Sequence, residues 1–331
     1  INKAVLAAFK AATRLRPDIK EFYKAQRVAE DLSARLAIPN PRCRIDEITA
    51  TADDGYEIPL RVFTPLDIDF SLKRGLHVNE DHRGTILYLH GGGWANGDVE
   101  FYSDACMRTA LKLERRVIAV DYRRSPEHRF PTALEDCYAV ARQLFAGTLI
   151  RDADPERIVL MGDSAGGNLT AAVSLLARER GDFRPRTQIL LYPLVYNDHS
   201  ETTLFDSVRD NGEDYILTRQ AIVDYIAHAR RFPRLPLRAA HRDVAGRPAP
   251  HARHHRRVRP FARRGRGFRC APGCGGQRSG LLPHERRRPR LLFVPLRALA
   301  RDTYRLIAHF LDGDPLPKPG DRPWLTLLGT D

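Results

Sequence analysis

The segment RIVLMGDSAGGNLTAAVSLLARER, residues 157–180, limits the fold of this chain more than any other stretch. Ile158 to Met161 is an apolar run with the length of a buried strand. A run of small and aliphatic residues with helical length follows, with no linker between the two. Gly162 and Gly166 bracket Ser164 in a G-x-S-x-G pattern, the turn that joins a strand to a helix by a strained bend. Such a bend lifts the Ser164 hydroxyl above the strand end. It also aims the unpaired N–H groups of the helix N-terminus at any negative charge that forms there. A chance Gly-Ser-Gly turn would satisfy the five letters alone. The strand before and the helix after favour a nucleophile.

The rest of the chain alternates in the same manner. ITATADDGYEIPLRVFTP (48–65) reads as a β-hairpin. GTILYLH (84–90), RVIAVDYR (116–123) and TQILLYPLV (187–195) read as strands. FPTALEDCYAVARQLF (130–145), LTRQAIVDYIAHA (217–229, with Thr218 as N-cap) and ALARDTYRLIAHFL (298–311) read as helices. Residues 1–36 carry helical spacing broken at Pro17. Strands alternating with helices predict an α/β chain with a mostly parallel central sheet flanked by helices. Residues 1–48 are expected to form an N-terminal helical cap segment, and 49–331 the catalytic domain.

HGGGW (90–94) follows the strand at 84–90. Consecutive glycines expose backbone N–H groups that can face a developing oxyanion, with the N–H of Ala165 completing the hole. A flexible loop or a phosphate cradle would also use glycines, but the Gly-Lys-Ser/Thr of a Walker loop is absent. His90 precedes the glycines and reads as a loop anchor rather than a base. Trp94 reads as packing. Phe101, Tyr102 and the 217–229 helix line an acyl pocket or pack in the core, with nothing in the sequence to separate the two.

HGGGW, then DYRRSPEHRFPTALEDC (121–137), then GDSAGGN (162–168), in this order, resemble the hormone-sensitive-lipase-like family of α/β-hydrolases. The resemblance covers about 48–230 and resumes near 294. It implies an α/β-hydrolase fold with a helical cap and carboxylesterase activity on a small-molecule ester by a Ser-Asp-His triad. It implies no cofactor, no metal, and an assembly that is a homodimer in many relatives. On this resemblance Ser164 takes the nucleophile's place, and Gly91, Gly92, Gly93 and Ala165 cover the oxyanion hole. Asp163 stands beside the nucleophile without an assigned step, and Arg123, Glu127 and Asp136 match scaffold positions.

The chain then departs from the family. The D-P-L-x-D-E motif that carries the acid and the H-G-F motif that carries the base are both missing. In their place lies a block, 240–293, with fifteen Arg and no Lys against one Asp and one Glu. The net charge of +13 resides there: the remainder holds 39 basic and 39 acidic residues. With arginine read as CGN and the frame moved by one base, residues 247–266 permit GLPPTLVITAEFDPLRDEGE, and 281–291 permit YYRMNGVVHGF. The missing acid would fall at the slot of Arg259 and the missing base at Pro289. The block is therefore expected to be a frameshifted segment, entered near 240–246 and left near 293–294. In this reading HARHHRRV (251–258) displaces a core strand it cannot replace, because burying several unpaired charges exceeds the stability of a domain. His284 stands near the base's slot but lacks its motif. The competing reading is an evolved insertion on a non-catalytic hydrolase-like protein. CAPGC (270–274) with His251, His254 and His255 would then hold a metal, or RPFARRGRGFR (259–269) would be a nucleic-acid arm. Nucleic acid is not the expected partner, since outside the block the chain has no excess charge.

No uncharged apolar run is long enough to span a bilayer, and the first residues lack a secretory signal pattern. With no initiator Met, the chain is expected to be a fragment or trimmed. Five scattered cysteines form no disulfide framework, which favours a reducing, cytoplasmic setting. Ester, amide and lactone bonds would all suit the same elbow.

Overall fold

The computed structural model describes residues 19–34, 39–66, 83–195, 199, 218–229, 278–282 and 296–313. Its strands are β1 (Cys43–Thr51), β2 (Glu57–Pro65), β3 (Thr85–Leu89), β4 (Arg116–Val120), β5 (Ile158–Asp163), β6 (Thr187–Leu191) and β7 (Arg278–Leu282). They form one sheet in the order β1-β2-β4-β3-β5-β6-β7. Its helices are α1 (Ile19–Ala34), α2 (Ser103–Leu113), α3 (Thr132–Phe145), α4 (Ser164–Arg180), α5 (Arg219–Ala229) and α6 (Leu296–Asp312). β1, β2 and β4 pair antiparallel, and from β4 to β7 every pairing is parallel.

The parallel strands are short apolar runs because both their faces are covered. Leu87, Leu89, Ile118, Val120, Ile158 and Leu160 face the core that holds α3 and α4. Ile86, Tyr88, Val117, Ala119, Val159 and Met161 face the opposite core, with α2 and α6. Each fully buried aliphatic side chain contributes about 1.5–3 kcal/mol. The hairpin read at 48–65 begins earlier, at Cys43, which pairs with Pro65. Its turn is closed by Ala52 N–H on the Tyr56 carbonyl (2.8 Å) and uses Gly55 at φ +83°. Thr218 caps α5, accepting from Ala221 N–H at 3.1 Å, as its position predicted. Helix α2 was not anticipated. Its buried Cys106, Met107, Ala110 and Leu113 nevertheless fall on one helical stripe.

Asp136 on α3 has no exposed surface. It accepts from the Arg123 backbone N–H (3.0 Å) and from the guanidinium Nη2 (2.6 Å), which ties the end of β4 to α3. Arg123 also bonds Asp54 at 2.7 Å and lies over the Tyr56 ring. Asp136→Ala leaves a largely buried guanidinium without its main partner. It is expected to cost about 3–5 kcal/mol in urea unfolding, with a far smaller loss in an Asp54→Ala control, because that carboxylate is exposed to solvent.

β7 lies within the arginine-rich block, where sequence reading placed no strand. It continues the sheet in parallel register with β6, from Thr187↔Arg278 to Leu191↔Leu282. Residues 251–258, whose replacement of a core strand was in question, lie outside the described residues. So do CAPGC (270–274), His284, and the slots of Arg259 and Pro289.

Candidate active site

Ser164 is the first residue of α4, directly after β5. Its φ is +50°, in the left-handed region that a residue with a Cβ avoids. The bend is possible because the flanking glycines allow backbone to meet backbone. A Cβ at Gly162 would lie 2.4 Å from the Gly166 carbonyl oxygen, and one at Gly166 would lie 2.0 Å from that of Leu89. The turn thus sits against the end of β3, where the HGGGW loop begins. Ser164 stays half-exposed while its neighbours are buried. Among the described residues, no side chain hydrogen-bonds its hydroxyl.

The glycine loop curls through positive φ at Gly92 (+110°), Gly93 (+63°) and Trp94 (+60°). Ala95 and Asn96 N–H close it on the Gly92 carbonyl. The N–H of Gly91 donates to Asp163 Oδ1 at 3.0 Å, so its donor is already engaged. Gly92 and Gly93 follow it in the loop, and Ala165 lies in the first turn of α4, whose N–H groups have no intrahelical acceptor. Helix α1 holds the loop exit: Arg27 Nε donates to the Ala95 carbonyl (2.7 Å), and Gly97 N–H to Glu30 Oε2 (2.9 Å). Arg27 also pairs with Glu127 at 3.0 Å, which gives that residue a scaffold contact. Tyr225 of α5 lies against Gly93, where a Cβ would meet its ring at 2.3 Å. Trp94 is buried, and with Phe130, Leu134, Asn168, Leu169 and Ala229 it borders a small pocket.

His90 is buried, stacked on Tyr122 with ring centroids 4.2 Å apart, and bonded through Nδ1 to the Gly91 carbonyl at 2.7 Å. A carbonyl only accepts, so Nδ1 carries the proton. Burial pushes the ring's pKa down to about 4, so it is neutral above that pH. The unfolded chain therefore takes up a proton near pH 6.5 that the native ring refuses, and His90 removes stability as pH falls from 6.5 towards 4. The expected size is on the order of 3 kcal/mol. Asp121, pushed up to about 6 by burial, acts in the opposite sense over much of that range. The measurement is thus the difference between wild type and His90→Gln in urea unfolding at pH 4.5 and 7. The variant is expected to lose less stability on acidification; an equal loss removes His90 as the cause.

Sequence reading missed the tyrosines around Asp163. Tyr88 donates to Oδ1 at 3.0 Å, and Tyr102 and Tyr192 donate to Oδ2 at 3.1 and 3.2 Å. Burial first, and Asp163 second, push all three phenols above their ordinary range, so they remain donors. Tyr102, read as either pocket lining or core, is part of this cluster, while Phe101 is 40% exposed. The signal for Tyr88 was a lone polar tip within an apolar strand. Among the described residues, no His, Cys, Asp and Glu cluster could hold a metal ion.

A strained serine turn between a parallel strand and a helix, set beside a glycine loop, is the arrangement of the α/β-hydrolase fold. The chain has the α/β-hydrolase fold, and the model of the family described by that fold matches residues 86–246. It is similar to carboxylesterase NlhH of Mycobacterium tuberculosis, with 33% identity over 187 residues, 56% of this chain and 54% of that protein. It is also similar to an ethyl acetate hydrolase of Pseudomonas putida, 32% identical over 60% of this chain and 59% of that one. The chain thus spans about half the length of the curated relatives it matches. Among solved structures, a hyperthermophilic esterase from Pyrobaculum calidifontis aligns with a TM-score of 0.57 at 29% identity, covering 70% of this chain and 71% of that one. The thermostable carboxylesterase EstE1, cloned from a metagenomic library, aligns with a TM-score of 0.55 at 29% identity, over 66% and 70% of the two chains. No helix among the described residues is long and apolar enough to cross a membrane.

Proposed function

We propose that the chain is a serine carboxylic ester hydrolase for small to medium acyl esters, impaired as it stands because its acid and base are displaced. The observation that carries this reading is Ser164 at φ +50° on the elbow, half-exposed beside the glycine loop. In the intact reaction a histidine removes the Ser164 proton as Oγ attacks the acyl carbonyl. The N–H groups of Ala165 and of the Gly91–Gly93 loop hold the oxyanion, with Gly92 and Gly93 the loop donors not engaged by Asp163. The same histidine protonates the departing alcohol, and water then cleaves the acyl-enzyme. The names of the relatives support an ester as the bond.

The acid and base belong at the slots of Arg259 and Pro289, in a segment translated out of frame across about 240–293. Two observations support this. The family match stops at residue 246, where the composition changes, and amphipathic helix α6 resumes at Leu296. Sequencing the DNA for residues 235–297 tests it, because an unambiguous read of the residues as they stand removes the displacement. Turnover of p-nitrophenyl acetate to octanoate, beside matched anilides and lactones, tests the bond and the acyl length. Preference for an anilide would overturn the ester assignment. The local charge of the block also favours a second reading, a basic arm on a non-catalytic hydrolase scaffold. That reading requires salt-sensitive RNA or DNA binding in a gel shift.

A further inference from the structure

We propose that Asp163 is a positioning residue that locks the glycine loop to the serine turn and so aligns the two halves of the oxyanion hole. The alignment part rests on the hydrolase reading above; the lock itself does not.

An acidic residue just before a helix is ordinarily its cap, with its carboxylate accepting from the first turn. Asp163 occupies that place, yet its side chain makes no capping bond to α4. It turns instead towards the end of β3 and is 5% exposed. Each oxygen receives two donors. Gly91 N–H and the Tyr88 hydroxyl reach Oδ1, both at 3.0 Å. The Tyr102 and Tyr192 hydroxyls reach Oδ2, at 3.1 and 3.2 Å. These donors come from β3 and its loop, from the entry to α2, and from the segment after β6. One carboxylate therefore joins the pieces of backbone that surround the serine turn.

The glycine at 91 follows from this contact. A Cβ there would lie 2.6 Å from Asp163 Oδ2 and 2.9 Å from the Tyr102 hydroxyl, so only glycine brings its amide close enough. With Gly91 held, Gly92 and Gly93 are presented from a fixed start. The other end of the loop is held by Arg27 and Glu30. A loop of glycines has the greatest conformational freedom of any sequence, and two anchors offset that freedom before substrate arrives. Burial pushes the Asp163 pKa up, and the four donors act against it. Tyr192 reports on the lock from outside. It is 58% exposed, and its backbone sits at φ +37°, a strained value for a residue with a Cβ.

Hydrogen-exchange mass spectrometry on the full chain tests the lock without requiring turnover. In Asp163→Ala the peptide over 88–97 is expected to exchange about tenfold faster, with peptides over 117–120 and 134–144 unchanged. Asp163→Asn keeps an acceptor for the Gly91 N–H and is expected to restore most of the protection. A structural defect would speed exchange in all three peptides, with no rescue by Asn, and that pattern overturns the proposal. So does unchanged exchange over 88–97 in the alanine variant. If neither Asp163 variant folds, Tyr192→Phe decides, since it removes one donor from an exposed side chain. An increase of about twofold confined to 88–97 supports the lock, and no change overturns it. Ser164→Ala should leave exchange over 88–97 as in wild type. Failure of the hydrolase reading would show in the ester assays and leave these patterns untouched.

Discussion

Restoring the reading frame across residues 240–293 is expected to raise p-nitrophenyl butyrate turnover by about four to six orders of magnitude. The reason is cooperative. A serine hydroxyl is a poor nucleophile at neutral pH, and the oxyanion amides have little to stabilise until a base takes its proton. In serine hydrolases the loss of nucleophile or base alone costs nearly as much as loss of the whole triad. Two results should therefore accompany the gain. Ser164→Ala in the restored chain should return turnover to about the level of the unrestored one. The same substitution in the unrestored chain should change little, because the serine there has no base to serve. A restored chain no faster than the original would sink the assignment of acid and base to Arg259 and Pro289. Full activity in the unrestored chain would mean that another base serves Ser164.

Gly166→Ala is expected to abolish the native fold of the elbow, at a cost above about 4 kcal/mol. The new methyl would lie 2.0 Å from the Leu89 carbonyl oxygen and 2.4 Å from that of His90. Both are backbone atoms at the end of a strand paired on both sides, to β4 and β5, so neither can swing aside as a side-chain tip would. Relief requires moving α4 away from the sheet, which opens the core around Leu89, Ala165 and Leu169. Gly167→Ala is the control. Its Cβ would lie 3.0 Å from Pro193 Cβ and 3.1 Å from the Gly162 carbonyl oxygen, so its neighbours need give only a few tenths of an ångström, and alanine favours a helix by up to about 1 kcal/mol. Urea unfolding should separate the two variants clearly. Equal stability would mean that the close approach of α4 to β3 is not what requires Gly166.

Much of this was legible before any coordinates because it is local. IVLM, ILYL and VIAV are continuous runs of mostly apolar residues, and each lies in a strand buried on both faces. GDSAG lies at the junction of β5 and α4, where its glycines place it. Helix α2 was missed although its apolar stripe was present, since Ser103, Asp104, Arg108 and Lys112 make the segment look polar when read linearly. β7 could not be anticipated from RSGLL, which has neither a continuous apolar run nor the alternation that marks a strand; pairing with β6 makes it one.

Five adjacent letters were enough to place Ser164 on a turn between strand and helix, because such a strained bend is a local property of the chain. The sequence also located the block where the chain leaves the family pattern, since composition needs no coordinates. The partners of Asp163 follow from the packing of distant segments instead. Tyr88, Tyr102 and Tyr192 are 75, 61 and 29 residues from it, and no spacing rule links them. They converge because β3, β5 and β6 are neighbours in the sheet and α2 packs against it. A buried carboxylate must find donors wherever the fold brings them, and that depends on strand order, which local sequence does not encode.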